Sequence, residues 1–133
     1  MSTLSVATIK SASSAAPVFQ NSSGTEKGQL VKVWAQIDGT GTVGTRDNFN
    51  VSSVGDQGTG HYRVNFANSM SNNNYCATAS GSQGSYGSGS HLDGVEVTNY
   101  ASGSIDLYCS GSTSDPSGRD DFEQVSVTVI GAN

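Results

Sequence analysis

Charge is scarce in this chain. Asp, Glu, Lys and Arg make up 13% of its residues, while Gly, Ser, Thr and Asn dominate and proline occurs twice. The six basic residues are scattered, form no stripe and are outnumbered by acids to a net charge of −5, which argues against a nucleic-acid partner. Long apolar runs are missing as well. No segment approaches the roughly 18 apolar residues needed to cross a bilayer, so membrane insertion is not expected. The N-terminal MSTLSVATIKSASSAAPVFQ has neither a basic n-region nor a continuous apolar centre, so no secretory leader is expected there. If the protein works outside a cell, another route is expected, such as an assembled particle released by lysis. No stretch carries the 3.6-residue apolar period of a helix.

Cysteine is equally sparse. Cys76 and Cys109 are too few for a disulfide framework and lack metal-type spacing, and His61 and His91 stand apart from them and from each other. Two readings stay open for the pair: two small, partly buried thiols, or one late-formed disulfide joining two strands.

What the chain does have is glycine. In GTGTVGTRD the residues Gly39, Gly41 and Gly44 fall at the G-x-G-x-x-G spacing of a dinucleotide site, behind the strand-like run LVKVWAQI. That pattern binds a pyrophosphate only where the third glycine opens a helix. Here RDNFNVSSVGDQGTGHYRVNF follows, rich in β-branched and aromatic residues and alternating with period two. The glycines are therefore hairpin glycines, and no cofactor is expected. The turns DGTG (Asp38 to Gly41) and DQGTG (Asp56 to Gly60) echo each other, but neither has the alternating oxygen ligands and closing glutamate of a calcium loop.

At 133 residues the chain is long enough for a single core. Residues 1–28 differ from the rest. LSVATI (Leu4 to Ile9) reads as one short strand, and SASSAAPVFQNSSGTEKG as an aperiodic extended arm. Its apolar anchors, Leu4, Val6 and Ile9 and then Val18 and Phe19, cannot bury much against their own chain and call for a partner. From residue 29 to 133 the pattern is a succession of strands: LVKVWAQI with Val31, Val33, Ala35 and Ile37 on one face and Trp34 on the other, then TVGTR, NFNVSSV, HYRVNF with Tyr62, Val64 and Phe66 inward, YCATAS, VEVTNY, SIDLYCS and FEQVSVTVI. Roughly eight short strands separated by Gly/Ser/Asn/Asp turns predict an all-β fold, an antiparallel β-sandwich with a jelly-roll-like knob and an N-terminal arm. The loop GSQGSYGSGSH, Gly81 to His91, is expected to be the most exposed part of the knob. Tyr86 near its tip, with His91, is the candidate ligand contact.

An enzyme should show a nucleophile with its base, or converging acids. G-x-S-x-G and H-E-x-x-H are both absent. The acidic stretch SDPSGRDDFE holds Asp115, Asp120, Asp121 and Glu123 beside Arg119, but in a Pro/Gly loop where Asp and Ser serve local turns. These read as solvated loop charges, and the chain reads as a non-enzyme.

Within VWAQIDGTGTVGTRDNFNVSSVGDQGTGHYRVNF the sequence resembles a family of small tail-fibre-like virion proteins of tailed bacteriophages. Trp34, Asp38 to Val43, Arg46, Asp47, Phe49 to Ser53, Gly58 to Gly60, Tyr62 and Val64 to Phe66 match its core, W-x-x-x-D-G-T-G-T-V, R-D-x-F-N-V-S-S and G-T-G-x-Y-x-V-N-F. ATIKSASSAAPVFQNSSGTEKG resembles its lead-in. The likeness runs from about Ala7 to Phe66, with departures at Val33, Gly44 and His61. Gly44, the third glycine of the nucleotide-like pattern, is the one the family does not require. The resemblance implies a virion surface protein that assembles as a homotrimer and docks through its arm. Two roles follow: a tail-fibre knob that touches a host surface glycan, or a capsid decoration (cement) protein whose arm clamps neighbouring capsid subunits. A carbohydrate-binding module is a third reading from a different class.

Overall fold

The computed structural model describes residues 5–10, 19–83, 94–111 and 118–131. It divides into two compact units, Met1–Leu30 and Val31–Asn133. No helix among the described residues is long and apolar enough to cross a membrane.

The N-terminal unit departs from a plain extended arm. Strand β1 (Phe19–Gln20) pairs antiparallel with β2 (Glu26–Gly28) across the turn NSSGT. Asn21 makes this miniature hairpin: its Oδ1 accepts from the backbone amides of Ser23 (3.1 Å) and Thr25 (2.8 Å) and from the Ser23 hydroxyl (2.8 Å). An Asx side chain stands in for backbone partners in this way at tight turns. Residues 5–10 belong to no strand, contrary to the strand reading of LSVATI. Leu4 and Val18 lie outside the described residues.

The second unit is an antiparallel sandwich of two four-stranded sheets. Its strands are β3 (Val31–Asp38), β4 (Gly44–Phe49), β5 (Val51–Gly58), β6 (His61–Phe66), β7 (Tyr75–Ser82), β8 (Gly94–Ala101), β9 (Ser104–Ser110) and β10 (Gln124–Gly131). One sheet runs β4-β3-β10-β7 and the other β5-β6-β9-β8. A jelly roll is a double Greek key; here three consecutive strand pairs, β3–β4, β5–β6 and β8–β9, stay within a sheet as hairpins. G-x-G-x-x-G is the β3–β4 turn, and Gly44 opens a strand rather than a helix.

Alternation builds the core. The four central strands each send three side chains inward: Val33, Ala35 and Ile37 from β3, Tyr62, Val64 and Phe66 from β6, Ile105, Leu107 and Cys109 from β9, and Val125, Val127 and Val129 from β10. Each fully buried Val, Leu or Ile contributes about 1.5–3 kcal/mol. Val31, expected inward with Val33, is exposed instead, because the register with β10 slips between Val129 and Ile130 and turns Val31 out opposite Ile130. Met70, within the stretch NSMSNNN that reads as a polar break, is buried, and its backbone amide donates to Ser102 O. Strand β7 extends through Gly81 and Ser82, which pair with Val125 and Gln124, so these two residues belong to a strand and not to the loop expected from Gly81. Tyr86 and His91 lie outside the described residues.

The chain changes sheet between β4 and β5 at Asn50, which holds a left-handed backbone, φ 59°. Asn is one of the few side chains that tolerates this conformation. Its Nδ2 donates to Lys32 O (3.0 Å) and Asn68 O (3.1 Å), and its Oδ1 accepts from the Asn68 backbone amide (2.7 Å). One side chain thus ties β3, the sheet crossing and the segment after β6.

The cysteines do not pair: both are thiols. Cys109 is buried in the core, where desolvation pushes its thiol up to about 12, whereas Cys76 is exposed on β7. Opposite orientations in opposite sheets exclude the strand-joining disulfide.

Two expected outcomes follow from this architecture. Asn50→Ala should destabilise the knob by about 2–3 kcal/mol through lost hydrogen bonds and left-handed strain, and Asn50→Gly should recover about 1 kcal/mol of that. Urea denaturation of the two variants checks the order, and equal losses would remove the backbone share. In thiol labelling, the native protein should take up one equivalent, at Cys76, and the urea-unfolded protein two; a native chain with no reactive thiol would contradict the unpaired arrangement.

Candidate functional site

Part of the segment that carries the resemblance, Gly39, Gly60, Tyr62, Asp38 and Arg46, meets the acidic segment before β10 at one end of the sandwich. Gly39 N donates to Phe122 O (2.9 Å), and a Cβ on Gly39 would collide with the Tyr62 hydroxyl and with Phe122 O. Gly60, at φ 61°, donates to Asp121 Oδ1 (2.7 Å) and packs against Cys109 O, leaving no space for a side chain. The Tyr62 hydroxyl donates to the same Asp121 oxygen (3.0 Å), and burial followed by this carboxylate raises the phenol well above its ordinary value. Asp38 caps Thr40 (2.7 Å to its hydroxyl) and pairs with Arg46 (2.8 Å), which also donates to Glu123 O (3.0 Å). Asp121, exposed as the solvated-charge reading expects, is thus also a structural latch, and Arg46 on β4 is a second. The reading of the glycines as turn residues stands, with close packing as its physical cause.

Outward from the β5-β6-β9-β8 sheet lies a second polar cluster. Cross-strand register sets Arg63 opposite Asp106 and His61 opposite Tyr108. Asp106 is 1% exposed. Arg63 grips it with both nitrogens (Nε 2.7 Å, Nη2 2.9 Å), while Asn99 Nδ2 (2.8 Å) and His61 Nε2 (3.2 Å) complete its shell. His61 stacks on Tyr108 at 4.2 Å, and the Arg119 guanidinium lies 4.0 Å from the same ring centre. Hydrogen bonds from Arg63 hold the Asp106 carboxyl far below the usual carboxylate range against the opposing pull of burial, with help from Asn99 and His61. The carboxylate's acceptors are used up within the protein. Sequence reasoning missed this cluster, although Asp106 in SIDLYCS and Arg63 in HYRVNF both carry outward parity.

The outward face of the β4-β3-β10-β7 sheet is different. Register lines up its side chains in rows: Val31, Ile130 and Cys76, then Phe49, Trp34, Thr128 and Thr78, then Asp47, Gln36, Ser126 and Ser80, then Gln124 and Ser82. Trp34 and Phe49 are 36% and 53% exposed, side by side on neighbouring strands. Beside them, Thr78, Ser80, Ser126 and Thr128 line one shallow depression between β7 and β10, which continues past Ser82 and Gln124. Asp47 is the one acid in these rows. The face was legible only as Trp34 lying opposite the inward residues of its strand.

In the N-terminal unit, the described docking candidates Val6, Ile9 and Phe19 are all exposed. Among the described residues, no group of three or more His, Cys, Asp or Glu side chains is placed to hold a metal ion. Comparisons with protein-family models, curated proteins and solved structures found no match.

The Asp106 network sets a pH dependence. Its folded-state value lies below the unfolded one, so its stabilisation is complete above about pH 5 and is lost as pH falls through 4 and below. Asp106→Asn should lower stability at pH 7 by about 2–3 kcal/mol, with partly exposed Arg63 left to solvent, and should flatten the acid limb. Urea unfolding of both proteins between pH 2 and pH 7 checks this; parallel acid limbs would show that the carboxylate is not the titrating group.

Proposed function

We propose that this protein is a non-enzymatic structural component of a tailed-bacteriophage particle surface, docked through its N-terminal unit and presenting the sandwich outward. One observation carries the reading: the core of the sandwich is closed by its own strands, while the N-terminal unit leaves Val6, Ile9 and Phe19 45–61% exposed. Covering what each leaves in water would contribute on the order of 1 kcal/mol or more. Repetition of the contact in a homotrimer multiplies that contribution without requiring a large interface from any one copy. The family resemblance of the DGTG…RDNFNVSS…GTGHYRVNF segment supports the virion setting. A tail-fibre position and a capsid-decoration position both use the N-terminal unit in this way, and they differ in what it docks onto.

Removing residues 1–30 should leave a soluble, cooperatively folding β domain that no longer enters particles. Particle composition after complementation with the shortened gene measures this. A shortened chain that is incorporated as well as the whole one would place the docking surface on the sandwich instead.

A further inference from the structure

The two outward sheet faces handle their polar groups in opposite ways. On the β5-β6-β9-β8 face, Arg63, Asp106, Asn99 and His61 satisfy one another. On the β4-β3-β10-β7 face, the exposed Thr78, Ser80, Ser126 and Thr128 make no side-chain hydrogen bond within the described protein, and they line a depression next to Trp34 and Phe49. An aromatic platform beside a strip of unengaged hydroxyls has a definite chemical complement: a ligand that is apolar on one surface and rimmed with donors and acceptors on its edge.

We propose that this face binds a neutral polysaccharide, with a pyranose ring stacked on Trp34 and Phe49 and the neighbouring sugars hydrogen-bonded along the β7–β10 strip. A pyranose has these two characters in one ring, C–H groups on its faces and hydroxyls around its rim. Aromatic edges and faces accept the first, and Ser, Thr and Gln side chains accept or donate to the second. The width of the sheet matches an extended occupant: Phe49, Trp34, Thr128 and Thr78 stand on four adjacent strands, spaced about 4.8 Å apart. Charge selects among glycans. The β7–β10 strip holds no charged side chain, and Asp47 stands on β4 in the neighbouring rows. Arg46 on the same strand is engaged by Asp38 and the Glu123 carbonyl, and the chain carries a net charge of −5, so uronate or sialylated chains are repelled while neutral hexoses are not. This inference rests on the reading of the sandwich as the outward-facing part of a particle protein. It moves the glycan contact from Tyr86 to the sheet face.

Trp34 is the only tryptophan in the chain, so its fluorescence reports on the face directly. Full-length protein is titrated with linear neutral hexaoses (β-1,4-glucan, α-1,4-glucan, β-1,4-mannan and β-1,4-galactan) and with a hexauronate. At least one neutral hexaose should shift the emission saturably, and the hexauronate should not. By calorimetry, Trp34→Ala should weaken binding of that hexaose at least tenfold. Thr128→Val, which keeps the shape of the strip and removes one hydroxyl, should weaken it severalfold with the urea midpoint unchanged. No saturable shift with any neutral hexaose overturns the proposal, as does stronger binding of the hexauronate. Sedimentation of each variant tests the competing occupant, a second copy of the chain. An oligomer that falls to monomer on Trp34→Ala marks the face as a subunit interface and also overturns the proposal. Particle incorporation separates the two levels: Trp34→Ala protein that enters particles normally but binds no glycan leaves the docking reading standing, whereas loss of incorporation refutes that reading too.

Discussion

Strand β10 lies between β3 and β7, and the knob depends on that placement. Its alternating QVSVTVIG sets Val125, Val127 and Val129 into the core against β6 and β9, and aligns Ser126 and Thr128 on the outside with the side chains of β3 and β7. The pairing joins the first and last strands of the sandwich, so nearly the whole unit must be in place before it can form. Such long-range closure is slow and cooperative. A single-residue slip would exchange the valines for Ser and Thr, and the penalty for burying those hydroxyls unpaired fixes the register.

Around that pairing, the two ends of the sandwich are held by different chemistry. At one end Asp121 accepts from Gly60 and Tyr62, and Gly39 sits against both the tyrosine hydroxyl and the backbone of Phe122. At the other end the Tyr75 hydroxyl, raised to about 12 chiefly by burial, donates to Ala101 O at the β8–β9 turn, with Phe66 and Tyr100 packed around its ring. Both latches satisfy backbone groups with side chains from distant segments, which gives the loops geometry that their small polar residues could not supply alone. The outward faces are then free to diverge, one closing its charges on itself and the other leaving aromatics and hydroxyls open.

Much of this fold was legible before any coordinates. Period-two alternation in LVKVWAQI and HYRVNF placed Val33, Ala35, Ile37, Tyr62, Val64 and Phe66 inside, because each strand has one wet face and one dry face. The turns DGTG and DQGTG were readable from their glycines. The errors have local causes. Val31 was assigned inward because a bulge has no signature in a run of apolar residues, and the hairpin at Asn21 was hidden because an Asx turn looks like any other polar stretch. Met70 looked like part of a loop because one apolar residue among asparagines has no period to betray it.

Parity along a strand is a property of the sequence, since successive side chains must point to opposite sides, and it determined the sandwich, the inward set and the outward position of Trp34, Arg63 and Asp106. Which outward residues become neighbours depends on strand order and register, and these are decided by pairings between segments tens of residues apart. Arg63 meets Asp106, and Trp34 stands between Phe49 and Thr128, only once β6 has paired with β9 and β3 with both β4 and β10. The cysteines followed the same rule: composition left their pairing open, and the burial of Cys109 in one sheet with Cys76 turned outward on the other settled it.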